Sequence, residues 1–176
     1  MTKEADDLFH QPPAGQQFVF IGIDPGATSG LAMYSKERGL RVQQVSFWKL
    51  IELLTEKILP AHKERRIQVK VIIKMNHKNK FAFKGPIMKS NRDFALTMAR
   101  NFGMNQGYCK LMCEWFEHYG IEHEDVMLSD DKKYGRETFA QLTGINTLET
   151  NDHAREAARF ISRYWLNKTQ PHGTTT

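Results

Sequence analysis

The sequence predicts an α/β fold with a mixed central β-sheet, in which a three-strand antiparallel meander is continued by parallel strands and flanked by helices. Three observations carry that prediction. Residues 18–23 form a near-continuous β-prone apolar run, the pattern of a strand buried on both faces in the middle of a sheet. Two more strand patterns follow at short intervals, so that consecutive strands pair antiparallel. Helical and strand periodicities then alternate, as crossovers between parallel strands require.

The first strand is stopped by Pro25 and Gly26, and residues 27–30 read as a short polar hairpin before a second strand over 31–35. Residues 40–48 alternate well enough for a third strand. Leu50, Ile51, Leu53, Leu54 and Ile58 then recur at helical spacing over 49–58, and Pro60 is expected to end that helix. Residues 68–75 predict a fourth strand, with Val71, Ile72 and Ile73 placing it centrally. A long basic loop over 76–91 follows, and then a helix over 92–116 in which Gly103 and Gly107 are candidate break points. A short strand over 124–128, a helix over 137–142 and a final amphipathic helix over 151–165 complete the order. Thr150, Asn151 and Asp152 are each able to cap the last helix.

A chain of 176 residues and 20.4 kDa holds one domain with a full core, expected over 17–168 between a polar leader, 1–16, and a polar tail, 169–176. Hydrophobic content of 40% with 26% charge is a globular balance, and no apolar run approaches the roughly 20 residues of a membrane span. The acidic, polar N-terminus has no signal-peptide core, so a cytoplasmic location is expected, in the bacterial host cytoplasm if the chain is phage-encoded. The net charge is +5, which favours an anionic partner, and the excess is concentrated: ten Lys and Arg residues between Lys63 and Arg92 face Glu64 alone. Cys109 and Cys113, four apart in a helical pattern beside Met112 and Phe116, read as buried free thiols on a core face, with a metal-binding pair as the alternative.

Strand alternation puts Phe18, Phe20, Gly22 and Asp24 on one face, and Gly22, lacking a side chain, is expected to leave open space beside the Asp24 carboxylate. Asp24 itself reads either as a turn-former that caps its own backbone or as a metal ligand at a strand end. In the last helix His153 and Glu156 are three apart and project from one face of the first turn. Ala154, Ala157 and Ala158 surround them and let that turn pack closely on a sheet. A solvated helix start is the plain alternative.

The GIDPG at residues 22–26, the DHAREAA at 152–158 and the order of elements between them resemble the RuvC family of Holliday junction resolvases in the RNase H-like superfamily. The resemblance covers about residues 18–164. It implies a structure-selective endonuclease acting on four-way or otherwise branched DNA, with two Mg2+ ions, replaceable by Mn2+, held by carboxylates. By that resemblance Asp24, His153 and Glu156 are metal ligands, Glu156 standing where the family has Asp. The second family acid falls on Lys74, in VIIKMNH, so the catalytic set becomes Asp24, Lys74, His153 and Glu156. An ammonium brings no lone pair to a metal, and at about 4 Å with an effective dielectric of about 20 it repels a divalent ion by about 8 kcal/mol. Three accounts of Lys74 follow: an inactivated enzyme, a homologue that binds junctions without cutting, or a lysine that replaces one metal electrostatically while a single ion does the chemistry.

The resemblance also implies a homodimer, because a four-way junction presents two strands related by a two-fold axis. The basic loop supplies the DNA-binding candidates. Lys78, Lys80, Lys84, Lys89 and Arg92 suit phosphate contacts, and Phe81 or Phe83 either stacks on unpaired bases or tethers the loop to the core. The same GIDPG followed by TSG also resembles the first phosphate loop of actin-like ATPases and sugar kinases. Those proteins need a second domain and a second glycine-rich loop, which 176 residues do not supply.

Overall fold

A computed structural model describes residues 17–74, 92–126, 134–146 and 150–166. Its sheet has five strands in the order β3-β2-β1-β4-β5. These are β1 (Gln17–Asp24), β2 (Thr28–Ser35), β3 (Gly39–Ser46), β4 (Ile67–Lys74) and β5 (Glu122–Val126). β1, β2 and β3 pair antiparallel, and β4 and β5 continue the sheet in parallel, so the mixed plan expected from the sequence is present. The helices are α1 (Phe47–Leu53), α2 (Leu59–Lys63), α3 (Arg92–Tyr119), α4 (Arg136–Thr143), α5 (Asp152–Phe160) and α6 (Ser162–Trp165).

Alternation along the central strands divides the interior into two cores. Val19, Ile21 and Ile23 of β1, Leu31 and Met33 of β2 and Val69, Val71 and Ile73 of β4 pack under α1, α2 and α3, with Leu50, Met112 and Phe116 closing that layer. Ala32, Tyr34 and Ile72 point the other way, onto Phe139 of α4, Ala157, Ala158 and Phe160 of α5, and Trp165 of α6. Three layers result, with the sheet in the middle.

Several boundaries differ from the sequence reading, each for a local reason. β3 ends at Ser46, whose hydroxyl accepts a hydrogen bond from the Lys49 amide at 3.2 Å, so Phe47 and Trp48 open a helix and do not close a strand. Pro60 does not end the helix begun there. A π-helical turn over Leu54–Ile58 leads into α2, and Pro60 occupies its first turn, where a missing N–H costs little. α3 runs unbroken through Gly103 and Gly107 to Tyr119. It closes with the Ile121 amide donating to Phe116 O and the Gly120 amide to Glu117 O, the paired bonds of a Schellman cap. β5 begins at once, two residues earlier than expected, because its EHEDV is an edge strand whose polar content hides it from an apolar-run criterion. The last helix is divided at Ile161, and Asn151 is its cap, accepting from the Ala154 amide at 2.9 Å.

Gly22 does not leave open space beside Asp24, contrary to expectation. A Cβ at Gly22 would lie 2.0 Å from Ala157 O, and one at Gly30 would lie 1.9 Å from His153 O. Gly22 pairs with Ala32 and Asp24 with Gly30 in the β1–β2 ladder, so a strip of minimal side chains runs up the sheet. The backbone of α5, with Ala154, Ala157 and Ala158 toward the sheet, fills that strip. This contact sets the head of the last helix against the end of the first strand.

Candidate functional site

Asp24 ends β1 with 2% of its surface exposed. Its neighbour on β4 follows from register: Ile23 pairs with Ile73 in the parallel ladder, so Lys74 stands beside Asp24 at the common C-terminal edge. Lys74 Nζ lies 3.1 Å from Asp24 Oδ1. From the opposite layer, His153 Nδ1 lies 2.8 Å from Asp24 Oδ2. The Asp24 hydrogen bond raises the pKa of His153 above its ordinary value, and the charge of Asp24 adds to that, while burial and Lys74 act the other way. With Nδ1 donating to the carboxylate, Nε2 is left for a ligand.

The turn of α5 that carries His153 is held from several sides. Arg155 is buried and donates from Nη1 to Thr150 O at 2.7 Å, from Nε to Tyr134 O at 3.3 Å, and from Nη2 to Asp152 Oδ1. In the β1–β2 turn, Ser29 Oγ donates to Gly26 O at 2.9 Å and accepts from the Gly26 amide at 3.3 Å, fixing the chain directly after Asp24. Over this corner lies a cavity of about 310 Å³, bounded by Gly26 and Thr28 of the turn, Asn101, Asn105 and Tyr108 of α3, and His153. Asn101, Asn105 and Tyr108 were not legible as site residues. Their only sequence signal is polar spacing on the helix that crosses the sheet edge.

Glu156 takes a partner on its own helix. It is buried and accepts from Arg159 Nη2 at 2.7 Å, one turn along its own helix. Of the convergence expected of Asp24, His153 and Glu156, the Asp24–His153 contact is present, and Glu156 has an Arg159 partner within its own helix. The i,i+3 spacing of Glu156 and Arg159 was readable in the sequence as an ion pair. Lys78, Lys80, Phe81, Phe83, Lys84 and Lys89 lie outside the described residues; of Arg92 the backbone alone is described, as the first residue of α3.

These residues do not fit a pair of divalent ions. Such a centre needs several anionic oxygens free to bridge two cations. Here both oxygens of Asp24 are held, one by an ammonium and one by an imidazole, and Glu156 is turned to a guanidinium. What the corner offers instead is a buried carboxylate that orders two nitrogen donors beside a cavity. An ammonium and an imidazole set side by side on one carboxylate suit an oxyanion such as a phosphodiester.

Among the described residues a different set has three ligand atoms within 4.8 Å of one another: Cys113, His123 and Asp125, on the α3 side of the sheet. Cys109 and Cys113 are both buried free thiols, as the sequence reading had them. Among the described residues no helix is long and apolar enough to cross a membrane. No protein-family model matches the sequence, and no curated protein matches it.

Proposed function

We propose that this chain has an RNase H-like domain of the RuvC resolvase type and binds four-way or branched DNA, with Lys74 in place of metal-binding chemistry so that magnesium-dependent cutting is suppressed. The single observation that carries the reading is the Lys74–Asp24 ion pair at 3.1 Å, at the strand edge where the resolvase resemblance calls for a second acid. A cation there serves a phosphate directly and opposes a divalent ion.

The basic block supports a nucleic-acid partner. Lys78, Lys80, Lys84, Lys89 and Arg92 supply sequence-independent phosphate contacts, and Phe81 and Phe83 the stacking surface for bases unpaired at a crossover. A homodimer suits the two-fold symmetry of the junction, and the exposed apolar side chains Phe94, Leu96 and Met104 on α3 are suited to its interface. The chain would work in the cytoplasm, where such DNA is processed.

A second reading is an Mg2+- or Mn2+-dependent endonuclease of reduced activity. It requires a single ion and the opening of the Lys74 and His153 contacts that hold both Asp24 oxygens; the meeting of Asp24 and His153, two of the family's ligand positions, favours it.

Gel retardation with labelled four-way junction and linear duplex of equal length tests the proposal. Preferential retardation of the junction, weakening steeply with salt, is expected. Equal affinity for both, or none for either, would overturn it. Phe81→Ala combined with Phe83→Ala should lower junction affinity more than duplex affinity; an equal loss on both assigns these rings to tethering the loop.

A further inference from the structure

We propose that Cys113, His123 and Asp125 form a binding site for a single zinc-like divalent ion that clamps α3 to the edge strand β5. The site lies on the sheet face opposite α5 and does not depend on the DNA-binding reading.

β5 pairs only with β4 among the described residues and ends the sheet. Its alternation sends Glu122 and Glu124 one way, to Lys70 at 2.7 Å and Arg163 at 2.6 Å. His123 and Asp125 are sent the other way, beneath α3. Cys113 comes down from the helix to meet them, 9% exposed, with Sγ donating to Asp125 Oδ1 at 3.4 Å. The His123 ring is fixed between Phe116, at 5.7 Å between centroids, and the Ile121 carbonyl, 3.4 Å from Nδ1. Three different donors on two elements thus arrive in one place, each already oriented.

The distances suit a tetrahedral ion. Zinc takes sulfur at about 2.3 Å and nitrogen or carboxylate oxygen at about 2.0–2.2 Å, which sets ligand atoms about 3.5 Å apart. Ligand atoms already within 4.8 Å of one another need small side-chain rotations to close on an ion. A thiolate with an imidazole and a carboxylate is a borderline-soft donor set, which selects zinc or cobalt over magnesium or calcium. Three protein ligands leave a fourth position for water. Cys109, one turn earlier on α3, is not part of the set: its Sγ donates to the Lys74 carbonyl at 3.4 Å.

Without a metal the thiol keeps its proton. Burial first, and the negative charge of Asp125 second, push Cys113 up to about 12. Binding replaces that proton: the S–H bond of Cys113 breaks, an S–metal bond forms, and one proton leaves to solvent for each ion taken up. Affinity should therefore rise with pH.

The test uses the full, tag-free chain, stripped with a chelator and titrated with Co2+. One equivalent is expected to bind, with a thiolate-to-cobalt charge-transfer band that Zn2+ then bleaches, and Zn2+ is expected to raise the thermal midpoint. Cys113→Ser should abolish the band, Cys109→Ser should keep it, and Asp125→Asn should weaken Zn2+ binding by more than about tenfold, the lower cost of losing even an outer-sphere partner. Because Cys113 is buried, His123→Gln provides a second variant at a half-buried position, with the same loss of affinity expected. Absence of the band in the unmodified chain, its persistence in Cys113→Ser, or an unchanged Zn2+ affinity in His123→Gln would overturn the proposal.

Discussion

The two faces of the sheet hold two clusters of metal-binding residue types, and they differ in what surrounds the carboxylate. On the α5 face, Asp24 has an ammonium on one oxygen and an imidazole on the other. On the α3 face, Asp125 meets a thiol and an imidazole in a set whose ligand atoms lie within 4.8 Å of one another. The Asp24 cluster, the one patterned along the chain, has the protein's own cation on its carboxylate. Residue types at the right positions do not make a metal site; at Asp24 the local charge balance decides, because a cation already sits on its carboxylate.

The largest expected effect reverses that balance. Lys74→Glu replaces the cation beside Asp24 with a second carboxylate and should nick four-way junctions in Mg2+ or Mn2+ far more readily than the parent chain. Strand-resolved gels check it, and a variant no more active than the parent would break the comparison.

Next in size is the buried pair that removes Glu156 from the site. Arg159→Met leaves the Glu156 carboxylate buried without that partner and should cost about 3–5 kcal/mol in urea unfolding. A change below about 1 kcal/mol would return Glu156 to the list of functional candidates.

A smaller effect is expected from the glycine strip. Gly30→Ala sets a methyl against the His153 carbonyl, where an ideal Cβ would lie 1.9 Å away, and should cost about 1–3 kcal/mol by overpacking. It should also lift His153 from Asp24.

The smallest is a slope. His153 titrates above its usual value because Asp24 holds its proton, so the folded chain binds more protons than the unfolded one. That stabilisation is complete below the unfolded value of about 6.5 and is lost as pH rises through the raised folded value. Thermal midpoints measured across that interval should fall with pH in the parent and flatten in His153→Gln.

The fold was more legible than the site. Apolar runs in β1 and β4 and the alanines of α5 are signals that burial imposes directly on composition, so the mixed sheet and the packing of the last helix followed from them. Boundaries failed where a side chain or backbone device acts locally, as at Ser46, at the π turn before Pro60 and at the polar edge strand β5. Asp24 and His153 were readable because each sits at the end of a patterned element. The Lys74 contact needed the parallel register, and the Cys113–His123–Asp125 set needed the knowledge that β5 runs beneath α3. Neither is encoded in spacing along the chain. Gly22 was read as space, whereas a glycine facing a helix is as often where another backbone comes in.

We propose that the Asp24 corner binds DNA phosphate through Lys74 and His153 without a metal. Junction binding and strand integrity measured side by side, in Mg2+ and in a chelator, test it most directly. The account predicts the same retarded complex in both conditions with every strand intact; a complex that requires Mg2+, accompanied by nicks near the crossover, would contradict it.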